Sequence, residues 1–199
     1  MALAVGTPAD EPSVVRGFTS SVLGRVRSPQ VGAAMWRRFG RRRILFSAYP
    51  LLAGPPFTWR AEGTPSAAVR ALFDGTSLFP WALCLDVRRL ALCFVQATGE
   101  VEVRLRLEHL TDDACRKFHI DQVGFRLLCT YIGPGTEWVD DAGIVRHMWP
   151  MEVGLFKGAK VPGGGPRVLH RSPPLGHLPA GRRSRLVLCI DQGRADRPW

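Results

Sequence analysis

Residues 118–132 read FHIDQVGFRLLCTYI, a His-x-Asp pair running into an apolar stretch that Gly133-Pro134-Gly135 stops. Side chains alternate along a strand, so His119 and Asp121, two positions apart, point to one face. His170 stands beside another strand-like run, late in the chain. Two imidazoles and a carboxylate meeting from distant segments form a three-ligand facial set. That set suits a non-haem Fe(II) or similar divalent ion with positions left open for chemistry.

Outward from this stretch the chain reads as β-rich. Residues 101–107 (VEVRLRL) alternate without a break. Val101, Val103, Leu105 and Leu107 are expected to face a core, and Glu102, Arg104 and Arg106 water. Residues 153–156 form a short strand, residues 167–172 (RVLHRS) carry His170, and residues 185–191 (RLVLCID) form the last strand. About six or seven short strands separated by Gly/Pro turns predict an α+β, mainly β fold. Its core is expected to be a double-stranded β-helix, or jelly roll, with N-terminal helices.

The front of the chain reads differently. Residues 1–13 carry Gly, Pro and acids, as a loose tail does. Residues 13–43 suit one or two short amphipathic helices, with Trp36 and Phe39 on one face among arginines. Residues 47–58 hold three prolines and read as a connector. Residues 66–73 (SAAVRALF) read as a helix. Residues 82–86 read as a strand or a buried helix turn, and residues 89–95 (RLALCFV) as a buried strand. The expected organisation is a loose tail (1–13), a helical extension packed on the core (14–78) and a metal-binding jelly roll (79–199).

The expected fold and ligand spacing resemble those of 2-oxoglutarate/Fe(II) oxygenases, in which a basic side chain on the last strand pairs with the distal carboxylate of 2-oxoglutarate, a task that suits the guanidinium fork. Arg185 leads the last apolar run and is the first choice. Arg183 shares its face if the strand extends that far, and Arg182 is weaker. Lys157, in Phe156-Lys157-Gly158, is a second candidate. Tyr131 opens the dense run TYIGPGTEW and is a candidate cofactor contact. Glu137 is a possible fourth ligand or a turn cap, and Trp138 reads as structural. Cys115, four residues before His119, would allow a zinc site of sulfur and nitrogen. His109, His147 and His177 read as surface residues.

Composition bounds the function. The chain has 199 residues, 46% hydrophobic, with a formal charge of +10, and only three of its 27 basic residues are lysines. A solvated basic surface is favoured over an anionic partner. Nucleic acid is not expected, because no aromatic stripe alternates with the arginines along the chain. Five widely spaced cysteines without a CxxC pair fit a reducing cytoplasm. No apolar run is long enough for a membrane, and the start lacks a secretory pattern. No GxSxG, HExxH or P-loop is present, which removes the common hydrolase and nucleotide-binding readings.

The words FHxD (118–121), TYxGPGTEW (130–138), KG (157–158) and HRSPP (170–174) together resemble a bacterial family known as domain of unknown function 1826. The resemblance is strong over the C-terminal half and loose before it. It implies metal handling, in the setting of zinc homeostasis, and supplies no substrate. Three readings follow. The first is an Fe(II)/2-oxoglutarate hydroxylase acting on a small molecule or protein. The second is a non-catalytic zinc-binding protein with Cys115 and Glu137 as added ligands. The third is an interaction module.

Overall fold

The computed structural model describes residues 12–39, 42–76, 80–113, 115–176, 178–179 and 183–193. The strands among them are β1 (Val14–Gly17), β2 (Ala33–Trp36), β3 (Phe57–Gly63), β4 (Val103–Leu110), β5 (Phe125–Ile132), β6 (Glu137–Val139), β7 (Val145–His147), β8 (Val153–Lys157), β9 (His170–Arg171) and β10 (Arg185–Gln192). The helices are α1 (Arg42–Ala48), α2 (Pro65–Leu72) and α3 (Trp81–Thr98), with 3-10 segments at Ser20–Arg27 and Tyr49–Ala53. The fold is α+β and mostly sheet. A large sheet has the order β1-β2-β8-β5-β10-β4-β3, and a small one the order β7-β6-β9. All pairings are antiparallel except β1 with β2.

The large sheet separates two interiors. Leu105, Leu107, Leu127, Leu155, Leu188 and Ile190 face the helices and pack with Leu83, Val87, Leu90 and Phe94 of α3. Each such side chain, fully buried, contributes about 1.5–3 kcal/mol, so this layer holds the sheet in place. On the other face Met35 and Phe156 pack with Trp138, Met148 and Val168, which brings the small sheet over the large one. The functional cavity lies between the two sheets.

Several sequence readings change. Residues 33–36 are a strand buried on both faces and not part of an amphipathic helix. Both faces are apolar, so the strand shows no period-two signal. Phe57–Gly63 is a strand as well, so the segment expected as a helical extension supplies three strands of the large sheet. Conversely, residues 81–98, read largely as strands, form one helix. Leu83, Val87, Leu90, Ala91 and Phe94 bury its helical face, but exposed Trp81, Leu85 and Leu92 blur the periodicity. The core therefore draws on residues either side of the expected 78/79 boundary. Residues 1–11 of the expected tail lie outside the described residues, and the Ser13 N–H donates to Asp141 at 3.0 Å. His109 is buried, against Phe57, with Ser184 Oγ 3.0 Å from its Nε2.

The helix at 65–72 and the strands at 103–110, 153–157 and 185–192 match the reading within a few residues. The alternation holds within β4, where Val103, Leu105 and Leu107 are buried, whereas Val101 precedes the strand and is exposed. The polar face of β4 points into the space between the sheets, where Arg106 and Glu108 line the cavity. Among the described residues no helix is long and apolar enough to cross a membrane.

Candidate metal centre

His119 and His170 are brought together by the backbone. They form an isolated antiparallel bridge, with His119 N–H donating to His170 O at 3.0 Å and His170 N–H to His119 O at 3.1 Å. Asp121 completes the group, and one ligand atom from each of the three lies within 4.8 Å of the others. His170 Nε2 is 2.9 Å from Asp121 Oδ2, and His119 Nε2 is 3.6 Å from Oδ1. Each Nδ1 faces a backbone carbonyl, Lys117 O at 2.9 Å and Val168 O at 3.2 Å. A carbonyl only accepts, so each Nδ1 holds a proton and each Nε2 is left to face the shared point, where a metal would take its lone pair. His170 and Asp121 are buried, whereas the His119 side chain keeps 37% of its exposure. The group is thus closed on one side and open on the other.

The motifs that flank the ligands build this geometry. The Lys157-Gly158 turn clamps the aspartate loop: Ala159 N–H donates to Asp121 O at 2.8 Å and Lys160 N–H to Val123 O at 3.0 Å. A Cβ at Gly158 would collide with Val123 O, so the backbones meet only because this residue is glycine. Phe156 lies against the His170 ring, centroids 4.5 Å apart. Gly133, at φ +86°, has Ser184 O where a Cβ would sit, which brings the turn of residues 133–135 onto the start of β10.

That turn places Arg185. Its Nε donates to Pro134 O at 2.8 Å, Nη1 to Ser172 Oγ at 2.8 Å and Nη2 to Thr130 Oγ1 at 3.2 Å. Only 2% of the residue is exposed, and it lines the same cavity of about 160 Å³ as His119 and His170. No carboxylate among the described residues forms an ion pair with it. Burial pulls the guanidinium down to about 10, so its charge is held at a cost that a bound anion would relieve. The other arginines of the cavity have partners. Arg106 Nε is 3.0 Å from Glu108, Arg171 Nε 2.6 Å from Glu137, and Arg126 contacts both Asp191 and Asp121. Burial alone would raise the Asp121 carboxyl, but the His170 hydrogen bond and the Arg126 charge outweigh it and hold it below its ordinary value.

The remaining candidates do not join the site. Tyr131 is on the helical side of the sheet, fully buried, and its hydroxyl donates to Asp86 at 3.0 Å. Residues of β5 alternate, and Tyr131 shares its parity with Leu127 and Cys129, away from the cavity. Lys157 likewise faces away from the ligands and donates to Ser28 O at 2.7 Å. Arg183 precedes β10, is exposed, and donates to Leu178 O at 2.7 Å. Arg182 and His177 lie outside the described residues. Glu137 is occupied by Arg171, with His147 3.5 Å away, and is not in the ligand group. Cys115 is exposed at the cavity wall but also outside that group. Sequence reasoning missed Arg126, Thr130 and Ser172. Strand parity points to the first two, since 126, 128 and 130 all turn from the apolar face of β5.

The fold is similar to that of several solved structures. Similar solved structures include the full-length T7H of Neurospora crassa in complex with alpha-KG, 11% identical over 90% of this chain and 78% of that one, TM-score 0.55. A "putative oxygenase" from Shewanella oneidensis is 10% identical over 90% and 89%, TM-score 0.56. A "putative 2OG-Fe(II) oxygenase family protein" from Caulobacter crescentus is 16% identical over 92% and 86%, TM-score 0.51. At these identities the likeness is one of fold. Residues 18–191 match the family described as "Protein of unknown function (DUF1826)", and the chain belongs to that family. No curated protein sequence matches it.

Proposed function

We propose that this chain is a 2-oxoglutarate- and Fe(II)-dependent oxygenase that hydroxylates a small molecule or a protein. The observation that carries the reading is Arg185, a buried cation with no ion-pair partner among the described residues, in the cavity lined by His119 and His170. The two sheets are read as a double-stranded β-helix. The order β8-β5-β10-β4 supports this as one wall, with β7-β6-β9 and the His119 bridge as the other.

In this reading His119 Nε2, Asp121 and His170 Nε2 hold the ferrous ion. When bound, it supplies the activation of dioxygen, with 2-oxoglutarate going to succinate and carbon dioxide and one oxygen atom going to a substrate C–H. Arg185 orients 2-oxoglutarate by its distal carboxylate, and Ser172 and Thr130 fix the plane of the guanidinium. Leu128 and Val187 keep that end of the cavity apolar. The exposed side of His119 gives the substrate its approach. A non-catalytic zinc site would need a closed four-ligand shell, and neither Cys115 nor Glu137 stands in the ligand group. The five free cysteines support a reducing compartment, the cytoplasm.

The test is metal analysis of protein purified without added metal, together with succinate formation from 2-oxoglutarate. Wild type is expected to hold iron and form succinate, and His170→Ala to lose both. Tightly held zinc with no succinate, or equal iron in the two proteins, overturns the reading.

A further inference from the structure

On the helical side of the large sheet, α1 and the first turns of α3 leave three open clefts of about 580, 450 and 390 Å³. They adjoin one another: Arg42 lines the first and second, and Arg43 and Trp81 line the first and third. Large aromatic rings stand exposed in them: Phe46 at 77%, Trp149 at 65% and Trp81 at 54%. Arg42, Arg43 and Arg89 line the first cleft and are exposed. The carboxylates among the described lining residues are Asp86 and Glu152, both buried and both occupied. Asp86 accepts from Arg38 and Tyr131, and Glu152 accepts the Trp149 N–H at 2.9 Å. Among the described lining residues the face is therefore cationic and aromatic, without an exposed acid.

We infer that this face binds single-stranded nucleic acid, with bases stacked on Trp81 and Trp149 and phosphates held by Arg42, Arg43 and Arg89. Guanidiniums satisfy the phosphates and rings satisfy the bases, and that pairing of chemistries defines a single-strand platform. An acidic peptide would use the arginines and leave the rings without partners. A bilayer would meet a flat surface, whereas these rings line clefts. A second copy of the chain would bring like charge against like. The aromatic and basic residues come from segments near 42–46, 81–89 and 149, so their interleaving exists only in the folded chain. This inference is independent of the oxygenase reading.

Fluorescence anisotropy of a labelled oligothymidylate with the full chain tests it. Wild type should bind at low salt and weaken as salt rises. Trp81→Ala and Trp149→Ala should each weaken binding about tenfold. Arg43→Ala should reduce the salt slope by about 0.7. Thermal melting of each variant checks that it folds. If Trp81→Ala does not fold, Trp149→Ala alone carries the aromatic test, since its side chain is more exposed. Absence of binding at low salt, variants that bind like wild type, or binding to polyglutamate or anionic vesicles but not to the oligonucleotide, overturns the inference.

Discussion

The guanidinium of Arg126 spans Asp121 and Asp191: Nη1 lies on Asp121 Oδ1, while Nε and Nη2 take both oxygens of Asp191 at 2.7 and 2.6 Å. The register of the large sheet explains the arrangement. Glu62 of β3, Arg104 of β4, Asp191 of β10 and Arg126 of β5 stand opposite one another across four strands. This ladder of alternating charge ends on the Asp121 carboxylate of the candidate metal centre. Asp121 is on a loop, and the ladder fixes its orientation from the rigid sheet. Replacing Arg126 alone would also leave Asp191 unpaired beside the site and draw cations to it. The double variant Arg126→Met/Asp191→Leu keeps the local charge balanced and removes only the anchor. Its divalent-metal affinity should fall about tenfold or more, measured by competition with a chromophoric chelator. Unchanged affinity would show that the loop alone orients Asp121.

Arg185 should be the measure of 2-oxoglutarate binding. Saturating ligand at about a hundred times its dissociation constant stabilises a protein by about 2.7 kcal/mol. For a chain of this size the melting temperature should rise on the order of 5 °C. Arg185→Met removes the uncompensated charge while keeping an apolar side chain of similar reach, so it should fold at least as well as wild type. It should show no shift with 2-oxoglutarate. Arg185→Lys should not restore it, because three separate groups hold the present fork. A full shift in Arg185→Met would place the ligand elsewhere.

On the far side of the sheet, Arg38 and Asp86 form a buried ion pair of 2.7 Å. Arg38 also donates to Met151 O at 2.8 Å and lies 3.3 Å from Cys129 Sγ. Asp86→Ala leaves that guanidinium buried without its anion, at a cost of about 3–5 kcal/mol, so urea unfolding should shift strongly to lower midpoint. Tyr131→Phe removes one hydrogen bond to the carboxylate and should cost about 1.5–3 kcal/mol. The 2-oxoglutarate-induced melting shift should remain intact in Tyr131→Phe. Its loss would return Tyr131 to the cofactor-binding residues.

The ligand group was legible because its parts announce themselves. A His-x-Asp pair beside a strand and a late histidine before a last Arg-led strand are readable from residue type and spacing. Parity could not be read where both faces of a strand are covered. Tyr131 and Lys157 have the chemistry of cofactor contacts, but their strands alternate them to the helical side. Arg104 and Arg106 look solvated in VEVRLRL because polar residues inside a cavity and polar residues in water make the same pattern. The helix at 81–98 hid for the opposite reason, since an element apolar nearly all round matches a buried strand as well as a helix. Arg126 was unreadable as an anchor because its partner Asp191 is a neighbour only through sheet register.

The five free thiols should separate by environment. Cys115 is exposed, Cys84 and Cys93 are half-buried, and Cys129 and Cys189 are buried. Burial pushes the last two from an ordinary 9.0 up to about 12. At mildly alkaline pH both stay protonated and shielded, so iodoacetamide should modify Cys115 first and leave Cys129 and Cys189 intact until the chain unfolds. The same shift makes stability depend on pH. Between about 9 and 12 the unfolded chain releases thiol protons that the native state retains. Stability is therefore fully present below 9 and falls as pH rises through that window. Chemical unfolding at a series of alkaline pH values should show this decline, and it should be shallower in Cys189→Ala than in wild type. Equal slopes in the two proteins would mean that Cys189 titrates as an ordinary thiol and that the wall of the cavity beside Arg106 and Arg126 is wet.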